Sequence, residues 1–185
     1  GAITSAACEK AARFISMCDA FGLPIITFID TPGLLVGSAA ERQGVIIRSG
    51  RVVYEMGRAS VPIYSITLRK GYGLGYVLMG GGRDIGADMS VAWPTAHICG
   101  MQVEGAVDVA YRKQIEAAAD PDAERQRLIA MYAEQVGVLQ AAEQLAIDDV
   151  IDPAETRRFL LRALRRTADR VPFYAPPAVH GISPI

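Results

Sequence analysis

Apolar residues near the start of the chain recur every three or four positions, from Cys8 to Phe21. This is the spacing of one face of an α-helix, so the segment predicts a helix with one buried side. Thr4 and Ser5 stand before the first turn as candidate N-caps, and Gly22 stands where a helix would stop.

Four short runs are apolar without a helical period. They lie at 24–30, 61–68, 89–93 and 96–101, and the first three are rich in β-branched or aromatic residues. Such runs are typical of strands that are buried on both faces in a parallel sheet.

Helical patterns separate and follow these strands. We expect helices at 39–56, at 104–118, after Asp120–Pro121, near 141–145, and from Asp152–Pro153 to Leu164, and we expect the segment 69–76 to turn into a short helix that ends at the glycines 80–82. The segment 171–185 is rich in proline, which fixes φ and removes a donor, so it predicts an extended tail after a domain at 1–170.

Strands that alternate with helices indicate an α/β fold. In such folds ligands bind to loops that follow the carboxyl ends of strands, which here are the loops 31–38 and 69–75. The chain begins at Gly1 with a helix, where a repeating unit would begin with a strand. We therefore expect it to be part of a longer polypeptide.

Composition narrows the classes of function. The chain has 185 residues, 51% of them hydrophobic and 21% charged, and a net charge of −1, which disfavours a nucleic-acid or membrane-surface partner. No apolar run reaches the ~18 residues of a membrane-spanning helix. Cys8, Cys18 and Cys99 lack CxxC spacing, so we interpret the first two as apolar helix residues and expect a cytoplasmic protein.

The sequence Asp30–Thr31–Pro32–Gly33 after the first strand allows two interpretations. It is similar to the magnesium and γ-phosphate loop of GTPases, but that function also needs a GxxxxGK[ST] segment, and the chain has none. Pro32 and Gly33 also suit the central positions of a type II turn, so we expect a turn that ends the strand.

Alternating glycines mark the segment 69–75, at Gly71, Gly73 and Gly75. Glycines at a strand-to-helix junction let the main chain approach a ligand, and the first N–H groups of a helix have no partner within it. Together with the helix dipole, such groups can form an oxyanion hole. The alternative is that the glycines serve only tight packing between the helix and the strand.

Side chains for acid–base or metal chemistry are few. His97 and His180 are the only histidines, no carboxylates have the spacing of metal ligands, and no GxSxG motif is present. We expect no metal in this chain, and any catalysis has to come from main-chain dipoles and from the substrates.

Five segments, in order, resemble the β-type carboxyltransferase subunits of biotin-dependent acyl-CoA carboxylases, such as the propionyl- and acetyl-CoA carboxylases. They are 28–37 (FIDTPGLLVG), 68–75 (LRKGYGLG), 92–95 (AWPT), 101–107 (MQVEGAV) and 147–153 (IDDVIDP). Each segment is weakly specific, but together they cover the chain from residue 9 to residue 168.

This resemblance implies a crotonase-like α/β fold, in which ββα units form a superhelix that is followed by C-terminal helices. It implies that residues 1–170 are the second of two such domains, the one that binds carboxybiotin. In the family, carbon dioxide passes from carboxybiotin to the α-carbon of an acyl-CoA. Biotin serves as the base and the protein stabilises two oxyanions, which agrees with the lack of a side-chain base here.

By motif position, the resemblance implies that the oxyanion hole consists of the N–H groups of Leu74 and Gly75. Many members have Gly where this chain has Leu74. Val77 stands where several propionyl-type members have Asp, which implies a role in the choice of acyl chain. The residues that surround biotin would be Pro32, Gly33, Gly71, Tyr72 and Gly73.

The resemblance also implies partners and leaves alternatives open. The expected partners are an acyl-CoA, a biotin carboxyl carrier and a biotin carboxylase, in a homo-oligomer built on dimers, such as a hexamer, within fatty acid metabolism. A biotin-dependent acyl-CoA decarboxylase would use the same carboxybiotin-binding domain to catalyse the reverse reaction. A non-catalytic domain of the same fold would serve assembly alone.

Overall fold

A computed structural model of the chain describes residues 1–83, 85–134 and 136–168. The helices are α1 (Ser5–Ala20), α2 (Ser38–Arg42), α3 (Val45–Arg58), α4 (Gly73–Leu78), α5 (Val103–Ala110), α6 (Arg112–Ala117), α7 (Pro121–Glu134), α8 (Val138–Glu143) and α9 (Thr156–Thr167). The strands are β1 (Ile25–Thr31), β2 (Ile63–Tyr72), β3 (Met89–Ala92), β4 (His97–Cys99) and β5 (Asp149–Val150). A 3-10 turn at Pro153–Glu155 precedes α9.

The strands form one parallel sheet in the order β1-β2-β3-β5, and β4 pairs with the far end of β2. The predicted α/β class is therefore confirmed. β2 is the longest strand and runs to Tyr72, whereas the sequence placed its end at Leu68. The residues 69–72, predicted as a loop, are strand because β1 and β4 pair with them.

The first helix forms as predicted. The Thr4 hydroxyl accepts a hydrogen bond from Ala7 N at 3.2 Å, and the buried face of α1 packs against α3 and the start of β1. Cys8 and Cys18 lie in this core as buried, unbonded thiols, as expected for apolar helix positions.

Two predicted helices are each interrupted. The segment 39–56 divides at Gly44, whose φ of 70° is left-handed and breaks the run of helical dihedrals before α3. The segment 104–118 divides at Tyr111, between α5 and α6. Helical periodicity continues across both breaks, which is why the pattern alone could not show them. β5, which pairs with β3, was not predicted either.

The last helix covers the β3 side of the sheet. Phe159 and Leu160 of α9 pack against Ile66 and Val91, and the buried Tyr64 hydroxyl hydrogen-bonds to the α9 residue Thr167. The predicted domain end at 170 and the tail 171–185 lie outside the described residues. No helix in the described ranges is long and apolar enough to cross a membrane.

Candidate active site

The two loops that the sequence singled out meet at Gly33 and Gly75. A Cβ atom built on Gly75 would lie 2.7 Å from the Cα of Gly33 and 3.2 Å from Cγ2 of Thr31. Real Cβ atoms do not come so close to main chain, so only glycine fits at position 75 in this geometry. The start of α4 therefore rests directly on the turn that follows β1.

The turn after β1 is held from two sides. The Thr31 hydroxyl accepts from Gly33 N at 3.2 Å. The N-terminal segment adds main-chain bonds, from Ile3 N to Gly33 O at 2.9 Å and from Leu35 N to Ile3 O at 2.8 Å. The turn is thus fixed before any ligand binds.

The other glycines of the junction also serve packing. A Cβ on Gly71 would lie 2.8 Å from the ring of Tyr76, and a Cβ on Gly73 would lie 2.8 Å from Gly100 O. Gly73 also has a φ of 53°, which side chains rarely adopt. Tight packing is therefore sufficient to explain why these positions are glycine, since each of them faces protein atoms.

The junction nevertheless presents two main-chain donors. In the described part of the chain, no residue outside α4 accepts a hydrogen bond from the N–H of Leu74 or Gly75. Both lie in the first turn of α4, where a helix cannot satisfy its own donors. The Leu74 side chain is 43% exposed, so a ligand can reach this turn. Because α4 has only 6 residues, its dipole adds little to the binding of an acceptor atom at this turn. Any such binding depends mainly on hydrogen bonds from the two N–H groups.

Tyr72, the residue before α4, is buried beside the same junction. Burial, with the neighbouring Cys99 and Glu104, raises the pKa of its hydroxyl above the ordinary value. The raised pKa favours the neutral phenol, and the buried Tyr72 forms a wall of the junction.

An ion pair that the sequence analysis did not identify borders the junction. Asp30 accepts from Arg69 through two hydrogen bonds and from Lys70 N at 3.1 Å. The hydrogen bonds from Arg69 are the main cause that lowers the pKa of Asp30 below its usual value. Both residues lie within segments that carried the family resemblance, but their contact depends on strand register, which local patterns do not show.

Comparison with known proteins identifies the family. Residues 1–181 match the family described as the carboxyl transferase domain. The chain belongs to the carboxyl transferase family.

Relatives of known name agree with this assignment. The chain is 43% identical over 166 residues to the propionyl-CoA carboxylase carboxyltransferase subunit of Haloferax mediterranei, covering 89% of this chain and 32% of that protein. It is 40% identical over 190 residues to the propionyl-CoA carboxylase beta chain of Saccharopolyspora erythraea, covering 100% of this chain and 34% of the other. The chain thus spans about a third of the length of these relatives.

Solved structures show the same fold. A transcarboxylase 12S structure with methylmalonyl-coenzyme A and methylmalonic acid bound, described as a hexamer, superposes with a TM-score of 0.89 at 41% identity, covering 98% of this chain and 35% of that one. The geranyl-CoA carboxylase beta subunit of P. aeruginosa gives a TM-score of 0.81 at 26% identity, covering 96% and 35%. The predicted crotonase-like fold of carboxyltransferase domains is therefore confirmed.

The remaining predicted site residues of this carboxyl transferase domain lie around the same junction. Pro32 is exposed on the turn next to Gly33, and Val77 is half-buried one turn along α4 from Gly73. The structure thus gathers the residues that the resemblance assigned to biotin, and it places Val77 on the same short helix as the two donors.

Groups for metal chemistry are not gathered at this junction. In the described ranges, no cluster of three or more His, Cys, Asp and Glu side chains could hold a metal ion. His97 is an exposed residue at the start of β4, and His180 lies outside the described residues.

Proposed function

We propose that this chain is the carboxybiotin-binding half of a carboxyltransferase, which acts with an upstream domain to transfer a carboxyl group between carboxybiotin and the α-carbon of an acyl-CoA. The observation that carries the proposal is the pair of unpartnered N–H groups at Leu74 and Gly75, in a chain of the carboxyl transferase family. The names of the relatives, which include propionyl-CoA carboxylase subunits, support the substrate class.

The residues at the junction fit the ureido group of biotin. That group offers a carbonyl oxygen, which needs donors, and two main-chain donors follow each other in the first turn of α4, where Leu74 is exposed and Gly75 is buried. The apolar side chain of Leu74 is exposed on the same turn, and the exposed Pro32 precedes Gly33, which contacts Gly75; both suit an apolar bicycle. Gly71, Tyr72, Gly73 and Gly33 set the shape of the main chain beneath them.

When bound, carboxybiotin supplies both the carbon dioxide and the base of the reaction. The N–H groups of Leu74 and Gly75 donate to an acceptor oxygen and stabilise negative charge as it develops there. Main-chain donors carry no titratable proton, so this stabilisation is the same at any pH at which the protein is folded. The packing of Gly75 on Gly33 orients the donors in advance, so that little reorganisation is needed during the reaction.

The complete enzyme then needs further components. An acyl-CoA, a biotin carboxyl carrier and a biotin carboxylase are the proposed partners, in a cytoplasmic homo-oligomer built on dimers, such as a hexamer. The hexameric transcarboxylase 12S neighbour supports the assembly. The likeness of the chain to the propionyl-CoA carboxylase subunits supports an acyl-CoA as the substrate, and the proposal adds the dependence on biotin and a place in fatty acid metabolism.

The sharpest test replaces Leu74 in the full polypeptide that contains this chain. Leu74→Pro removes the N–H in the first turn of a helix, where proline is tolerated, and Leu74→Ala removes the same side chain but keeps the N–H. Gly75→Pro is less suitable, because its Cβ would strike Gly33. We expect Leu74→Pro to lower the rate of carboxyl transfer from a carboxylated acyl-CoA, such as methylmalonyl-CoA, to free biotin by about 10²–10³, as for other lost oxyanion donors.

The alanine variant provides the matched control. Leu74→Ala should keep the rate within a factor of about ten, since only an exposed apolar contact is lost. Equal rates for the proline and alanine variants would show that the N–H of Leu74 is not a donor in the reaction. A folded wild-type protein that neither binds biotin nor transfers a carboxyl group in either direction would leave the assembly function instead.

A further inference from the structure

The end of β1 and the middle of β2 are out of register. Ile29 pairs with Thr67, and the next pair is Thr31 with Gly71, so one residue of β1 between these pairs, Asp30, faces three of β2. At the same place β2 changes partner, because Thr67 is its last residue paired with β3 and Lys70 its first paired with β4. The segment 68–70 is therefore a bend that sets the direction of the chain towards α4.

Side chains form hydrogen bonds with main-chain groups of this bend, where the pairing of β2 with its neighbours is irregular. Oδ1 of Asp30 accepts from Lys70 N at 3.1 Å. The Arg69 guanidinium donates from Nε to Oδ1 of Asp30 at 3.3 Å and from Nη2 to Oδ2 at 3.0 Å. On the other side, the Thr95 hydroxyl donates to Leu68 O at 2.7 Å.

The Asp30–Arg69 pair contributes geometry more than stability. The side chains are 35% and 64% exposed, and ion pairs with this access to solvent add little to the free energy of unfolding. Two parallel hydrogen bonds between planar groups, in contrast, fix the relative orientation of their backbones. The pair therefore holds the bend in one direction.

We propose that Asp30 is a positioning residue for the main-chain donors of Leu74 and Gly75, and that it acts through Arg69 and Lys70 N. The proposal rests on the proposed function. Asp30 reaches both sides of the Gly33–Gly75 contact, since its own main chain leads into the turn at Gly33 and its side chain holds the strand that leads to Gly75. Loss of the Asp30 carboxylate would therefore loosen the contact between the turn at Gly33 and the start of α4 at Gly75.

The test compares Asp30→Ala with Asp30→Asn in the full polypeptide, by hydrogen–deuterium exchange of the peptide 68–78 and by carboxyl transfer to free biotin. Asp30→Ala should speed exchange in 68–78 and lower kcat by about 10- to 100-fold, the size expected for a donor displaced by a fraction of an ångström to an ångström. Asp30→Asn keeps an acceptor for Lys70 N. We therefore expect a smaller increase of exchange in 68–78 and a smaller loss of kcat in this variant than in Asp30→Ala. A role in folding alone would not produce this graded rescue.

A second two-pronged pair in the chain provides the control. Arg127 donates from Nε and Nη2 to Glu124 at 2.8 Å for each bond, within α7. Glu124→Gln removes the same kind of carboxylate and should leave both exchange in 68–78 and the transfer rate at wild-type values.

Two outcomes would overturn the proposal. The first is wild-type exchange and a kcat within twofold in Asp30→Ala. The second is an equal loss in Asp30→Ala and Asp30→Asn, with faster exchange over the whole chain. Failure of the proposed function is recognised separately, as absence of transfer by the wild-type protein. Exchange that is faster in 68–78 alone would still support the positioning of this segment by Asp30.

Discussion

Gly75 lies so close to Gly33 that a Cβ atom at position 75 would be 2.7 Å from the Cα of its neighbour. The two residues are far apart in the sequence and belong to different segments of the family resemblance. Their contact makes the turn after β1 and the first turn of α4 a single surface, which carries the two main-chain donors that have no partner among the described residues outside α4.

We expect Gly75→Ala to destabilise the protein and to impair carboxyl transfer. The added methyl group has to displace main chain at Gly33, and overpacking of this kind costs about 1–3 kcal/mol. Urea unfolding measures the loss, and a crystal structure of the variant would show the turn 31–33 shifted away from α4.

Gly50→Ala is the matched control for this substitution. Gly50 lies within α3, and no atom lies within 4 Å of a Cβ built on it. Alanine there should stabilise the protein by about 0.5–1 kcal/mol, because glycine weakens a helix interior. Gly75→Ala with unchanged stability would mean that the Gly33–Gly75 contact is looser than the structure shows.

Val77→Asp should change the preference among acyl-CoA substrates. Val77 is half-buried on α4 near the two donors, and a carboxylate there replaces an apolar surface with a charge. We expect the ratios of kcat/KM among acetyl-, propionyl- and longer acyl-CoA to change by about 10-fold or more, since single contacts of this kind contribute about 1–3 kcal/mol. Unchanged ratios of kcat/KM among acetyl-, propionyl- and longer acyl-CoA would show that Val77 does not determine substrate specificity.

Acid should abolish the small contribution of the Asp30 carboxylate to the free energy of unfolding. Hydrogen bonds from Arg69 lower the pKa of Asp30 in the folded state, so the stabilisation is present above the unfolded pKa of about 3.9 and is lost as the pH falls through the folded value. The difference in Tm between the wild type and Asp30→Asn should therefore be constant near neutrality and shrink below about pH 4. A difference that is independent of pH would show that charge on Asp30 contributes nothing.

The exposed side of β1 should mediate association of the isolated 185-residue chain. Ile26 and Phe28 are 38% and 50% exposed, and in the described part of the chain β1 pairs only with β2. Apolar side chains on a sheet edge favour contact with another surface. Sedimentation should show self-association that Phe28→Ser weakens by roughly tenfold or more, as expected for one buried aromatic ring.

Val109→Ser tests whether exposure alone drives this association. Val109 is also strongly exposed, but it belongs to α5 and not to β1. We expect this variant to associate like the wild type. Monomeric wild-type chain at all concentrations would contradict the assignment of the β1 edge as an interface.

Local patterns in the sequence determined most of the elements. The three- and four-residue spacing and Thr4 defined α1, the apolar runs defined β1 and β3, and Asp152–Pro153 marked the entry to the last helix. These features depend on residues that are close together in the chain, because helix periodicity, capping and strand composition are local properties. The two glycine-containing loops also followed from local patterns, since turns and helix starts need particular residues.

Only the tertiary structure decided how the two loops meet. The continuation of β2 to Tyr72, the register change between Ile29 and Thr31, and the contact of Gly75 with Gly33 all depend on pairing between segments that are far apart in sequence. The proposed role of Asp30 has the same origin, because its bond to Lys70 N exists only in that register. A single sequence records which residues favour strand or turn, but register is fixed by the packing of whole elements against each other.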